Sequence, residues 1–199
     1  MSPAPAPVLR HAKFAVARSA LTTRNRIVAL LLTLGLAVAL LGAPQFTTSS
    51  SAAMSAKVVS AHKWARTMLS VLNSERRCHH LRPLRMTTKL TLSAHRHNAT
   101  MAKADSMSHQ LPGEAYFANR ISATGYRWQS AGENIGWNSS MTNSGLQVLE
   151  RQMYGEKAPG ETGHRQNILS RSFRQIGIDV YFDNANHKMW FTQDFGQPA

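Results

Sequence analysis

Residues 176–192 read IGIDVYFDNANHKMWFT, and their patterning decides the fold. Ile176, Ile178, Val180 and Phe182 alternate with Gly177, Asp179 and Tyr181, the period of two that places one set of side chains on one face of a strand. Asp183-Asn184-Ala185-Asn186 supplies turn chemistry, and Met189 to Thr192 resumes an apolar run, so the stretch predicts a β-hairpin. Upstream, Ala131 to Trp137 (AGENIGW) is short, glycine-flanked and apolar at its centre, and is expected to add a third strand.

Before that point the period is helical. Ala65, Met68, Leu69 and Leu72 predict an amphipathic helix over 58–78, ended by Pro83 in HHLRPLR. Thr88 is expected to cap a second helix, with Leu90, Ala94, His97 and Met101 on one face, running to about Ser106. Glu114 to Ala123 reads as a shorter helix stopped by Gly125. A third long helix starts near Thr142, with Leu146, Leu149, Gln152, Met153 and Glu156 as inward positions, and Gly155, Pro159, Gly160 and Gly163 break the chain after it. Helices followed by a small antiparallel sheet predict a layered α+β domain rather than a doubly wound one.

The rest of the 199 residues is organised by charge. No Asp or Glu precedes Glu75, five Lys/Arg precede residue 27, and none falls between there and Lys57. Ile27 to Ala43 (IVALLLTLGLAVALLGA) follows that basic stretch without a charge, the layout of a secretory signal or a short membrane anchor. Residues 1–43 are therefore expected to be a basic N-terminal region plus signal peptide or anchor, with cleavage after Ala43 or Ala53. Retained or cut, the segment would leave the domain outside the cytoplasmic membrane, secreted or anchored through residues 27–43. Residues 44–56 (PQFTTSSSAAMSA) are small and polar and read as a flexible linker, which makes 57–199 the folded unit.

The formal charge of +13 leaves +8 on that unit, a potential that favours an anionic envelope polymer or headgroup; it is also what an ordinary solvated surface carries. The single cysteine, Cys78, excludes a disulfide framework and a Cys-rich zinc site, and is expected to be structural. Common nucleotide, zincin and α/β-hydrolase signatures are absent.

Four polar residues stand at element ends: His109, Glu133, Glu156 and His164. Two imidazoles and two carboxylates brought together would make a divalent-metal site or an acid–base pair. Each also has a local reading, as an exposed loop histidine, a cap neighbour, or a surface glutamate. Cys78-His79-His80 and His95/His97 offer no complete ligand set. Asn134 and Asn167 read as supporting residues whose side chains pin a strand and a helix end. Asn98-Ala-Thr and Asn138-Ser-Ser fit the glycosylation pattern, which is short and common by chance.

The segments Gly132-Glu-Asn-Ile135, Met153-Tyr-Gly-Glu156, Gly163-His-Arg-Gln-Asn-Ile-Leu169 and Trp190-Phe-Thr-Gln-Asp-Phe-Gly196 resemble the CAP superfamily, which includes cysteine-rich secretory proteins, antigen 5, plant pathogenesis-related proteins and bacterial SCP-like extracellular proteins. Leu72-Asn-Ser-Glu-Arg76, Pro83-Leu84 and Ser108-His109 resemble its first half, so the similarity spans roughly 65–196. The resemblance implies a three-layer α–β–α sandwich with a small central antiparallel sheet and a cavity lined by His109, Glu133, Glu156 and His164. His109 and His164 are the implied ligands of a divalent metal such as zinc. Met153 stands where many members carry an aromatic, and the disulfides of eukaryotic members are missing.

Three functions are compatible with this reading. One is an extracellular binding module for a lipid, another apolar ligand or an envelope component, with the ligand held between helices. The second is a metal-assisted hydrolase in which Glu133 or Glu156 accepts a proton. The third is a wall-associated structural protein with a vestigial cleft. No catalytic residue is assigned outside the second, and nucleic acid is not the expected partner.

Overall fold

The computed structural model describes residues 16–18, 49–156 and 163–199. The apolar segment 27–43 lies outside them, and among the described residues no helix is long and apolar enough to cross a membrane.

The alternating stretch forms two antiparallel strands, β4 (Gln175–Asp183) and β5 (Lys188–Pro198), with Val180 opposite Phe191. Strand β3 (Trp128–Asn138) pairs antiparallel with the other edge of β5, placing Glu133 opposite Asp194. Two short pieces complete the sheet. β2 (Arg85–Met86) runs parallel to the start of β4, and β1 (Val16–Arg18) pairs antiparallel with β3 at Ser130–Gly132, giving the order β1-β3-β5-β4-β2.

Helices cover both faces. On one lie α1 (Ser49–Cys78), α4 (Asn143–Gly155) and α5 (Gly163–Ile168), with Met68, Leu72, Leu149, Ile176, Val180, Phe191 and Phe195 in the core between them and the sheet. On the other lie α2 (Thr88–Ala104) and α3 (Phe117–Ala123), over Leu90, Phe117, Ile121, Met101, Ile135 and Trp190. The architecture is a three-layer α–β–α sandwich, and full burial of each large apolar side chain contributes about 1.5–3 kcal/mol. Gly177 marks where two layers meet most closely. A Cβ there would lie 2.1 Å from the Leu90 carbonyl carbon and 2.2 Å from the Thr91 nitrogen, so α2 rests directly on bare strand backbone.

Several local expectations shift. Thr87, not Thr88, caps α2: its extended backbone lets the side chain accept from the Leu90 N–H at 3.3 Å. The helix expected from Glu114 starts at Phe117, because Leu111 to Glu114 form a turn with Gly113 at φ 79° and the Glu114 carboxylate accepts from the Leu111 N–H. In α4 the inward stripe is Leu146, Leu149, Glu150 and Met153; Glu150 is fully buried, while Gln152 is only half-buried. Cys78 is exposed rather than structural, because Arg76 takes the inward position at that end of α1. Its guanidinium donates to the carbonyls of Arg82, Ile168 and Ser170, tying α1 to α5.

Two segments read as lying outside the folded unit are joined to it. Helix α1 starts at Ser49, inside the expected linker, since the serine and alanine content that looked loop-like also supplies a helix start and good helix formers. Val16–Arg18, from the basic N-terminal region, occupy the outer edge of β3, where backbone donors and acceptors need a partner.

Candidate functional site

Strand alternation places Glu133 and Asn134 on opposite faces of β3. On the α2/α3 face, Glu133 is fully buried. Its Oε1 accepts from His109 Nδ1 at 2.8 Å, and its Oε2 accepts from Arg120 Nη2. Arg120 also donates from Nη1 to the carbonyls of His109 and Ala115, both at 2.8 Å, so one side chain of α3 fixes the carboxylate and the loop that carries His109. His97, fully buried on α2, hydrogen-bonds Glu114 Oε1 through Nδ1 at 2.8 Å, with Nε2 3.9 Å from Glu133. Burial alone would push the Glu133 carboxyl up; the His109 hydrogen bond and the charges of His97, Arg120 and His109 outweigh it and hold the group below the usual carboxylate range.

Asp194, opposite Glu133 on β5, is fully buried as well. Burial and the neighbouring Glu133 raise its carboxyl well above the ordinary value, the opposite direction to Glu133.

The other face carries the second half. Asn134 Nδ2 donates to the His164 carbonyl at 3.2 Å and to Gln193 Oε1 at 2.9 Å, while Asn167 Nδ2 donates to Asn134 Oδ1 at 2.8 Å and to the Glu133 carbonyl at 3.2 Å. Together they lock the first turn of α5, and His164 with it, onto β3. Glu156, just past α4, pairs with His164 Nδ1 and accepts from the His164 N–H at 3.1 Å. The described contacts thus form two His–Glu pairs, His109–Glu133 and His164–Glu156. Among the described residues no three His, Cys, Asp or Glu side chains are grouped to hold a metal ion. His109 does fit the chemistry of one ligand. Its Nδ1 is committed to a carboxylate, which fixes the tautomer, and its Nε2 is buried without a hydrogen-bond partner among the described residues.

Behind this face lies an acid pair that the sequence reading missed. Glu150 on α4 accepts from Gln193 Nε2, and its carboxyl is raised well above the ordinary value by burial and by Glu75 on α1. Glu75 is itself raised, by burial, to about 7. Both acids titrate near 4.5 when unfolded, so the fold holds its protons more tightly than the open chain does. The resulting stability is fully present below pH 4.5 and is lost as pH rises through about 7. The midpoint of urea unfolding should therefore fall between pH 4.5 and 7.5, and Glu150→Gln should flatten that slope. A slope unchanged in the variant would contradict the assignment. Glu150 had a legible signal, since it lies four residues after Leu146 on the apolar stripe. His97 had the same kind of signal, on the face of α2 that carries Leu90, Ala94 and Met101, whereas Arg120 and Asp194 had none that distinguishes them from other polar residues in a helix or strand.

A cavity of about 500 Å3 opens between α1 and α2 over the second half of β4. Ala61, Ala65, Leu92, Val180 and Phe182 supply its apolar wall, and His95 with Asp179 its polar one. Leu92, 38% exposed, is the large hydrophobic side chain left open at its rim. His95 and His97, adjacent on one helix, point to different partners, Asp179 and Glu114.

A family model described as the cysteine-rich secretory protein family, CAP, matches residues 69–195. The chain belongs to this family. The uncharacterized protein YkwD of Bacillus subtilis is 26% identical over 151 residues, 76% of this chain and 51% of that protein, so the CAP protein described here spans about half the length of its curated relative. Among solved structures, an extracellular protein containing an SCP domain from Bacillus anthracis superposes with a TM-score of 0.59 at 23% identity, over 69% of this chain and 41% of that one. An outer surface protein of Borrelia burgdorferi gives 0.57 at 13% identity, over 69% and 94%. At these identities the likeness is one of fold, and the fold is α+β.

Proposed function

We propose that this CAP domain is an exported binding module that holds an apolar ligand between helices, with a divalent metal such as zinc reached by His109 and His164 around the edge of β3, since their His–Glu pairs lie on opposite faces of that strand. The observation that carries the ligand reading is the groove between α1 and α2, whose volume and lining suit a small apolar molecule. Export is supported by the basic stretch followed by the uncharged segment 27–43, and by relatives described as extracellular or outer-surface proteins. Outside the cell, the basic surface would meet anionic envelope polymers or headgroups. If the segment is cut after Ala43, Val16–Arg18 leave with it, and N-terminal sequencing of the exported protein reads this directly.

The electrostatics disfavour Glu133 as the base of a hydrolase. A general base works best with a pKa near the operating pH, whereas Arg120 and His109 hold Glu133 below the ordinary range. For the metal, His109 would ligate through Nε2 while Glu133 orients the ring from Nδ1, and Glu156 would orient His164 likewise. The metal would supply Lewis-acid character and positive charge to the cleft.

Two measurements test this. Calorimetric titration of the full chain with zinc should show saturable heat that falls at least tenfold in affinity in His109→Ala and in His164→Ala; absence of heat in the parent removes the metal. Solvent extraction of the exported protein followed by mass spectrometry should release an apolar molecule, and an extract indistinguishable from buffer would count against the ligand.

A further inference from the structure

We propose that the arginine-rich end of the sandwich, where the close of α1 meets the loops 79–85 and 169–174, is a docking surface for an envelope polymer bearing phosphodiester groups. The proposal rests on the reading of this domain as an exported module, and it places on one surface the attraction that the overall charge only implies.

This end of the molecule is built from stretches without acids. No Asp or Glu occurs between Arg76 and Ala104, or between Gly163 and Ile178. The fold brings the two stretches together. Arg76 donates from Nε to the Arg82 carbonyl at 2.9 Å, and from Nη1 to the carbonyls of Ile168 and Ser170 at 2.6 and 3.1 Å. The Arg85 N–H donates to the Arg174 carbonyl at 3.1 Å, and Arg85 stands opposite Gln175 where β2 runs beside β4. Every Lys or Arg in 76–85 and 169–174 is an arginine: Arg76, Arg77, Arg82, Arg85, Arg171 and Arg174. Arg77, Arg82, Arg85 and Arg171 are exposed, Arg174 is half-buried and Arg76 is buried beneath them.

Their charge is not answered within the described residues, where the ion pairs of Asp and Glu are all made to other cations. Glu75, the acid next to Arg76 in sequence, hydrogen-bonds Glu150 and is itself raised to about 7. Arg76 carries the clearest sign. Burial and the charge of Arg174 lower its pKa to about 10, and its Nη2 is buried without a hydrogen-bond partner among the described residues. Guanidiniums that repel one another at a protein surface are relieved by an anion brought from outside.

The side-chain type and the surroundings narrow the partner. A guanidinium is weakly hydrated and presents a planar fork that pairs two oxygens of one phosphate. Arginines spread over a helix end and two loops can each take a successive phosphate of one chain. A polymer fits better than a bilayer, because stable membrane attachment adds an apolar anchor to a basic patch. Among the described residues the large hydrophobic side chain left exposed is Leu92, on α2 at the groove and not at this end.

The test titrates the full chain with synthetic poly(glycerol phosphate) at low ionic strength, read by calorimetry. Binding should be saturable and should fade as salt is added. The triple variant Arg82→Gln, Arg85→Gln, Arg171→Gln should bind about tenfold more weakly or worse; these side chains make no hydrogen bond among the described residues, so thermal unfolding should be unchanged. Arg66→Gln, Arg96→Gln, Lys103→Gln removes the same charge from exposed positions on α1 and α2, and should cost about twofold or less. Equal losses in the two triples would mean that net charge alone is read, and would overturn the surface, as would no binding in the parent. Vesicles of phosphatidylglycerol in phosphatidylcholine provide the other source of phosphate. Vesicle binding as tight per phosphate as polymer binding, and lost equally in the arginine triple, would overturn the polymer in favour of a headgroup. Export is read separately, by fractionating the producing cells: a chain retained inside them removes the export reading, whereas a failed titration leaves that reading standing.

Discussion

Arg120→Met should destabilise the domain by about 3–5 kcal/mol, the range for removing one partner of a buried ion pair. Arg120 is the guanidinium against Glu133, a carboxylate with no exposed surface and a second acid, Asp194, directly across the strand pair. Without the cation, Glu133 must stay charged in a dry site or take up a proton beside a second buried acid. The variant also strands the carbonyls of His109 and Ala115. Urea unfolding followed by tryptophan fluorescence measures the loss. Adding Glu133→Gln should recover part of it, because the neutral amide needs no counter-charge, and the two substitutions should couple strongly in a double-mutant cycle. A loss below about 1 kcal/mol in Arg120→Met would mean that the pair is hydrated and the network much weaker than its geometry indicates.

Gly177→Ala should cost about 3 kcal/mol, at the upper end of what overpacking usually does. The added methyl would meet the backbone of Leu90 and Thr91 at 2.1–2.2 Å, and backbone cannot rotate out of the way as a side chain can. Either α2 lifts from the sheet or β4 bows, and α2 carries His95, His97 and Asn98 to their partners. Thermal unfolding should show the loss. Gly155→Ala is the internal comparison: a Cβ there meets nothing within 4 Å, and the position ends α4, so the change should be neutral or slightly stabilising. Equal effects at the two glycines would contradict the close approach of α2.

The candidate site was legible through distinctive neighbours, although Glu133, expected at an element end, lies at the centre of β3. His109, Glu133, Glu156 and His164 stood out because turns and glycines flank them. Their pairing was not legible, because it depends on which face of β3 each helix covers. A one-residue step from Glu133 to Asn134 changes the face, so residues adjacent in sequence serve opposite sides of the sheet. Arg120 looked like one more cation in a short helix, and only burial on α3 makes it the counter-charge of Glu133.

Periodicity set the types and order of α1 to α4 and of β3 to β5, but not of the short β1, β2 and α5, since alternation in 176–182 and three-to-four spacing in the helices follow from how each backbone displays its side chains over several residues. It also set the one strong compositional boundary, the basic and apolar N-terminal segment. Tertiary structure decided which polar groups are buried, which acids keep their protons and where a groove opens. Those properties arise from desolvation and from charges brought within a few ångströms, and they do not exist until the layers pack.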